Sequence, residues 1–579
     1  MDRVFGLVDF TKDFFSLTQD DDIQVLFYGT IYNKEFLKTE CGISGQIEDS
    51  KLIQKAFEIF DTSLFRKIDG IFTTVIYDKN SQYLYLLRDR VGIQPLYFYD
   101  FNQNFIFGSK LKDFYKISSF TKTIDKNALA LYLSYGYILQ PYTIFEHTQK
   151  VKPGHYVMLD IKNRSWEQKE YWSLESCYEK PKPYLQEKEI IESVETILHK
   201  TILKRLDGNK NIATTLSGGY DSSIVSTLLT QNSDKKINTF TIGFSQKEIN
   251  EAPFAKKIAE YLGTQHHEHY FNEEDAKEIV PKLCKVYDEP FADYGATPTV
   301  LMTELIKQNG FDTLFIGDGG DEVFATADDV TQFENILKVP LVLRKSLYQC
   351  LNLINPSKLP VVKSYQNFPT KYYKFLHLLK GENIPQLVKV KDILFIDDEI
   401  KNLLNTQSIS FDFSFDDIKF PKHSQSVDQV IGSYFKTSMV DAELVKSFQA
   451  ARYAGVSLKE PLLDADLIEY MAGVGQNIKI KGGEKKYVLK QIAHKFIPKE
   501  LLDRPKSGFD IPFSSWLNGS LKELVYDQIN ESRLKDDALF NVSEILKIRD
   551  AFYDGNEAYK YKLWTLLLFQ LWYQYNIKD

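Results

Sequence analysis

Residues 211–223 read NIATTLSGGYDSS, and this stretch decides the fold. The β-branched and apolar run up to Leu216 has strand character, Ser217-Gly218-Gly219 reads as a turn, and residues 221–231, DSSIVSTLLTQ, continue as a helix. Two glycines let the backbone approach an anion closely. Ser217, Ser222 and Ser223 add hydroxyls, and the first-turn amides carry the positive end of the helix dipole. The result is a phosphate cradle without a lysine. It lacks the GxxxxGK[ST] spacing, which disfavours a P-loop ATPase. Standing alone, such a turn also occurs with no ligand.

Working outward, INTFTIGF is a second strand, EAPFAKKIAEYLG a helix, and DTLFIGDGG a third strand ending in glycines. Strand and helix taking turns at this spacing predict a parallel sheet covered by helices, an α/β domain. The third strand opens into Ile316-Gly317-Asp318-Gly319-Gly320-Asp321-Glu322, so in a parallel sheet its carboxylates face the same cradle at the carboxyl ends of the strands. Asp221 and Asp321 are then the natural pair for Mg²⁺, which takes one or two carboxylates and completes its shell with phosphate oxygens and water. Either aspartate by itself is as readily a turn former. From about residue 325 to the end the pattern is mostly helical.

Before the cradle the pattern changes. IQVLFYGTIY, GIFTTVIYD, QYLYLLRD and PLYFYD are short runs rich in β-branched and aromatic residues, which predict antiparallel sheet from Ile23 to about Trp172. Pro181 and Pro183 among charges break that pattern ahead of the helical run IIESVETILHKTILKRL. Two domains are expected, 1–180 and 181–579.

Composition excludes several classes. With 71 Lys and Arg against 79 Asp and Glu, the net charge of −8 advertises no basic face for nucleic acid, and 43% hydrophobic residues fit a globular protein. The 35 tyrosines and 41 phenylalanines are expected to fill cores rather than stack bases. Cys41, Cys177, Cys284 and Cys350 lie far apart without metal or disulfide spacing, which fits a cytoplasmic protein. The uncharged stretch 127–145 carries Ser134, Gln140 and Pro141 and reads as a buried helix and loop, not a membrane span. His266, His267 and His269 alternate along a strand and are expected to pack or line its edge rather than bind metal.

The order of SGGYDSS, TFTIGF, NEAPFAKKIAEYLGTQHHEH, DEPFADYGATP and GDGGDEVF resembles the synthetase domain of the asparagine synthetase family, an ATP pyrophosphatase fold. RDRVGIQPLYFYD, KVKPGHYVML, KEYW, EPLLDADLIEY and GGEKKYVLKQIAHKFIPKELLDRPKSGFDIPFSSWL extend the likeness over about residues 28 to 520. The resemblance implies ATP- and Mg²⁺-dependent adenylation of a carboxylate, with release of pyrophosphate, then attack by a nitrogen nucleophile to give an amide and AMP. It places Leu216, Ser217, Gly218, Gly219, Asp221 and Ser222 around the pyrophosphate, and Ile242, Gly243 and Gly317 beside the adenosine. It makes Lys506 in RPKSG the cation that neutralises developing phosphate charge, and Asp318 either the base for the incoming amine or a stabiliser of its positive charge. Asp288 and Glu289 fall where the family lines its substrate side.

The first domain resembles the family's glutaminase half, of the α+β N-terminal-nucleophile-hydrolase type, in degenerate form. That half uses a Cys after the initiator Met, where this chain has Asp2, and Tyr28-Gly29-Thr30-Ile31-Tyr32-Asn33 replaces the asparagine of its NGEIYN element with Tyr28. The element also arrives early, leaving little room for upstream strands. An amide ligase without glutamine hydrolysis is expected, similar to β-lactam and lasso-peptide macrolactam synthetases, acting on a small molecule or peptide that carries a carboxylate and an amine. A partner protein of the same pathway is compatible with this reading. Phe448, Ser457 and Lys459 stand where asparagine synthetases show an acidic and arginine set, which weakens the case for free aspartate. The rivals are an ammonia-dependent asparagine synthetase or amidotransferase, and a non-catalytic nucleotide-binding scaffold.

Overall fold

The strand and helix alternation beyond residue 187 builds a five-stranded parallel sheet of order β13-β12-β11-β14-β15, from β11 (Ile212–Thr215), β12 (Asn238–Phe244), β13 (Gln265–Phe271), β14 (Thr313–Phe315) and β15 (Ser457–Lys459). The computed structural model describes residues 4–10, 14–15, 21–179, 185–206, 208, 211–326, 329–354, 356, 368–406, 418–422, 424–503 and 511–578. The chain divides into two units, Met1–Ala128 with Leu139–Cys177, and Leu129–Ile138 with Tyr178–Asp579.

The first unit holds two antiparallel sheets. β1 (Phe5–Asp9), β2 (Phe14–Phe15), β6 (Tyr97–Phe101), β7 (Asn104–Gly108) and β8 (Thr148–Lys150) form one, in the order β2-β1-β7-β6-β8. β3 (Ile23–Ile31), β4 (Gly70–Asp78), β5 (Tyr83–Arg88), β9 (His155–Asp160) and β10 (Ser165–Glu170) form the other, in the order β10-β9-β5-β4-β3. The second sheet is apolar on both faces, and the alternation along β5 shows why. Leu84 and Leu86 pack with Phe98, Phe105 and Phe107 of the first sheet, whereas Tyr85 and Leu87 meet the helix Asp49–Phe60 through Phe57 and Leu52. β1 and β2 precede the Tyr28–Asn33 motif, where its early arrival predicted little room for strands.

In the second unit the order of the sheet reverses at β11, with β12 on one side and β14 on the other, all parallel. A reversal of this kind leaves a crevice beyond the carboxyl ends of the two central strands, because their outgoing helices cover opposite faces. The two glycine-rich acidic loops leave from those two strand ends. The helix Ala252–Leu262 has Pro253 in its first turn, buries Ala252, Ala255, Ile258 and Ala259 as one stripe, and ends at Gly263 with φ of 70°. Near the carboxyl end, the helix Lys560–Tyr573 is buried from Lys562 to Tyr573. Both of its indoles find partners: Trp564 donates its N–H to the Ala292 carbonyl and Trp572 to that of Asp288.

β15 is only three residues long, too short to show a period, and is the one strand of this sheet absent from the sequence reading. His266 and His267 pair with Thr239 and Asn238 on the neighbouring strand, and His269 lies 3.0 Å from Asp275. The uncharged stretch at 127–145 overlaps the helix Lys126–Tyr135, and residues 128–133 are buried. No helix among the described residues is long and apolar enough to cross a membrane.

Candidate active site

A cavity of about 1330 Å³ opens where the two loops leave β11 and β14. One end is lined by Leu216, Ser217, Gly218, Gly219 and Asp221, with Ile242 beside them and Gly317 to Glu322 from the second loop. Gly218 holds φ of 80°, and the helix Tyr220–Gln231 begins directly after Gly219, so its first-turn amides lie at this end. The serine hydroxyls brace the turn. Ser222 Oγ accepts from the Ser217 amide at 3.1 Å and lies 3.0 Å from Ser217 Oγ. Gly243 packs elsewhere: a Cβ there would stand 2.9 Å from the Tyr270 ring.

The two loops touch. A Cβ on Gly317 would stand 2.9 Å from the carbonyl carbon of Asp221 and the amide of Ser222, and one on Gly320 would collide with the Asp221 carboxylate. Both positions therefore require glycine so that the second loop can seat against the helix that carries Asp221. Lys486 Nζ joins the carboxylates, 2.5 Å from Asp221 Oδ2 and 2.7 Å from Asp321 Oδ1. Asp321 Oδ1 also accepts from the Thr326 hydroxyl at 2.5 Å. The convergence expected from the sequence is present, and a lysine sits at its centre.

Lys486 was not singled out by the sequence reading. It stands just before the helix Tyr487–Ala493 with φ of 54°, a left-handed conformation that costs a non-glycine residue about 1–2 kcal/mol. Burial works to lower its pKa, but the charges of Asp221 and Asp321 outweigh burial and hold it above the usual lysine value. The residue sits within the quoted GGEKKYVLK run, yet nothing in its spacing links it to Asp221. Lys506, the cation expected from the sequence, lies outside the described residues.

Asp318 lines the same cavity and accepts from Ser447 Oγ at 2.6 Å. Burial, then the charge of Glu443, raises its pKa to about 6, although Ser447 and Lys446 pull it down. Glu322 is pushed further, to about 8, by burial and by the charges of Asp321 and Glu443, and is therefore mostly a neutral acid at pH 7. Asp288 is fully buried and its carboxylate takes Arg452 at 3.0 Å, an internal pair that leaves the cavity wall to other residues. Phe448 and Lys459 are buried, and Ser457 is exposed at the start of β15.

Two catalytic groups could thus be served at one place. A polyanion is met by glycine amides, a helix start and a lysine, and a nucleophile is met by a carboxylate whose raised pKa suits proton transfer near neutrality. The two carboxylates that converge on Lys486 Nζ suit Mg²⁺, a hard cation that tolerates few protein ligands. No cluster of three or more metal-ligating side chains occurs among the described residues, so an ion here would draw on phosphate oxygens and water.

Comparison with known proteins agrees with this geometry. Residues 193–574 match the asparagine synthase family, and residues 7–172 match the glutamine amidotransferase domain. A putative glutamine-hydrolyzing asparagine synthetase 2 of Methanocaldococcus jannaschii is 32% identical over 359 residues, covering 61% of this chain and 67% of that protein. Glutamine-hydrolyzing asparagine synthetase 1 of Bacillus subtilis is 24% identical over 574 residues, covering 97% of this chain and 87% of that one. The amidase chry2 of Gibberella zeae is 21% identical over 590 residues, covering 91% and 84%.

Proposed function

Because the chain belongs to the asparagine synthase family of ATP-dependent amide-forming ligases, we propose that it adenylates a substrate carboxylate, releasing pyrophosphate, and joins the acyl group to an amine without hydrolysing glutamine. The observation that carries this reading is the meeting of Asp221, Asp321 and Lys486 at the mouth of a glycine-rich helix start. In the first step a carboxylate oxygen attacks the α-phosphorus, and the bond to the β-phosphate oxygen breaks. Lys486 and the amides after Gly219 stabilise the charge that collects on the departing pyrophosphate. Asp221 and Asp321 would hold Mg²⁺, which when bound neutralises triphosphate oxygens. In the second step the nitrogen lone pair forms the new bond to the acyl carbon, AMP leaves with the electron pair of the broken C–O bond, and Asp318 takes a proton from the nitrogen. Lys506 remains a candidate for a second phosphate contact.

The cavity exceeds the usual range of roughly 300–1,000 Å³ for small-molecule sites, which favours a sizeable acceptor beside the nucleotide and suits a lactam- or macrolactam-forming substrate. The two asparagine synthetases named above carry glutamine hydrolysis in their names; the cysteines of this chain's first unit argue against it. Cys41 follows the helix Lys34–Glu40, and burial together with Glu40 pushes its thiol up, the opposite of an activated nucleophile. Cys177 is buried, with its sulfur 3.4 Å from the Ser173 carbonyl.

Turnover with ATP, Mg²⁺ and a competent acid and amine should yield AMP and pyrophosphate with glutamine left out. ADP and phosphate would reject adenylation, and release of glutamate from glutamine would reject the loss of glutaminase chemistry. The pH profile gives a further prediction. Asp318 must be ionised to accept a proton, and the charged groups acting on it are Glu443, Lys446 and Asp221. The rate of amide formation should therefore climb as pH rises through about 6 and then level, and in Asp318→Asn that limb should vanish with ATP affinity retained. A profile that is the same in both proteins would remove Asp318 from the base role.

A further inference from the structure

Between Glu334 and Glu382 the sequence has no aspartate or glutamate and eight lysines and arginines, in a chain whose net charge is −8. A local charge of that size is invisible in the total. The stretch contains the helices Leu341–Asn352 and Phe368–Lys380. Glu382, the acid that closes it, is drawn onto Lys345 at 2.8 Å.

The first of these helices is inverted. A helix on a globular domain turns its leucines inward and its charges outward. Here Arg344 is the buried residue, at 4% exposure, whereas Val342, Leu343, Leu347 and Cys350 are exposed, as is Leu353 just past the helix end. At 3.6 residues per turn these five positions share one side of the helix. The orientation is fixed from the buried side. Arg344 donates through Nε to the Val339 carbonyl at 3.0 Å and through Nη1 to those of Leu379 and Gly381 at 3.3 and 2.5 Å. Tyr372 donates to the Leu351 carbonyl at 2.8 Å. Rotating the helix to hide its leucines would pull a buried guanidinium away from three carbonyls, so the apolar side stays outward.

We propose that this helix face is a docking surface for an anionic lipid membrane, on which the protein rests without crossing it. The exposed valine and leucines enter the headgroup boundary and the flanking lysines meet lipid phosphates, as in an interfacial amphipathic helix. Lys345 lies on the helix itself, and Lys380 reaches it over the Tyr348 ring at 5.1 Å, so cations flank the apolar side. Lipid fits better than a protein occupant for two reasons. Val342 at 75% exposure and Leu353 at 88% stand clear of their neighbours, so no groove is shaped for a partner's side chain. A second copy seated here by two-fold symmetry would set like charges against like, because the stretch holds no carboxylate to answer its lysines. An apolar centre is also wrong for a nucleic acid, whose phosphates seek cations across the whole contact.

The test is co-sedimentation of the full chain with phosphatidylglycerol vesicles, with phosphatidylcholine vesicles as the neutral control. The protein should bind the anionic vesicles and leave the neutral ones. Binding should weaken as salt rises from about 0.1 M to about 1 M, which shortens the Debye length from about 10 Å to about 3 Å. Leu343→Asp combined with Leu347→Asp should weaken binding by about tenfold or more, with the melting temperature unchanged because both side chains are exposed. A polarity-sensitive dye on Cys350 of the same face should shift its emission to the blue on the anionic vesicles, a readout that needs no altered apolar residue. No binding to anionic vesicles, equal binding to both kinds, or unchanged binding in the double leucine variant would overturn the proposal. So would binding to polyglutamate but to no vesicle, which assigns the face to an acidic protein, or a dimer in light scattering that the double variant dissolves.

Discussion

Lys486→Gln is expected to lower the rate of AMP and pyrophosphate formation by about 10²–10³ or more, the loss typical of removing one preorganised donor from a developing oxyanion. The wild-type ammonium is already in place, fixed by Asp221 and Asp321 at 2.5 and 2.7 Å, so it pays no reorganisation when phosphate charge develops. Glutamine keeps an uncharged donor on a side chain one bond shorter, and leaves the two aspartates to repel each other and the triphosphate. ATP affinity should fall as well. Stability should change little, because the Asp321 side chain is 42% exposed and that of Asp221 23%, so solvent screens what the lysine leaves behind. Steady-state kinetics with a thermal melt on the same preparation makes the check. A variant that melts as wild type and keeps its rate within about threefold would show that Lys486 only ties the two loops together.

How much of this site could be read from the sequence follows from the range of the forces involved. The strands at NIATT, NTFTIGF and TLF were legible because β-branched runs bounded by glycine carry local information. The meeting of Asp221 with Asp321 was legible one level up, since parallel strands on either side of a reversal must deliver their loops to one crevice. Lys486 was not, because it reaches Asp221 across 265 residues by way of a left-handed backbone that no periodicity announces. Glu443 was hidden for another reason. A pattern read at 3.6 residues per turn assigns the wrong face to a π-helical stretch, and Glu443 lies at the end of one. Asp288, which falls where the family lines its substrate side, pairs with Arg452 at 3.0 Å.

Asp464→Ala should be the most destabilising single change at any motif residue, by about 3–5 kcal/mol, because it strands a buried cation. The EPLLDADLIEY run carries part of the family resemblance, and the geometry gives its Asp464 mechanical work. Asp464 is fully buried, takes Arg205 Nη1 at 2.7 Å and Lys204 Nζ at 2.9 Å, and caps the helix Ala465–Ala472 through the Asp466 amide at 3.1 Å. Arg205 is itself only 2% exposed, so without Asp464 its charge has no route to water. Urea unfolding followed through Trp516, Trp564 and Trp572 of the second unit would measure the loss. Burial pushes the Asp464 carboxyl up, but Arg205 and Lys204 outweigh it and hold the pKa below the ordinary value. The ion pair's contribution is therefore fully present above about pH 4 and lost as pH falls through the depressed value, and that acid limb should flatten in Asp464→Asn. The consequence reaches the chemistry through Leu463. A Cβ on Gly319, which holds φ of 88°, would strike the Leu463 side chain, so the loop bearing Asp318 and Asp321 rests directly on the residue next to Asp464. Asp464→Asn, which keeps the cap's shape, should accordingly lose less ATP affinity than Asp464→Ala, and equal losses would show that the loop does not depend on this support.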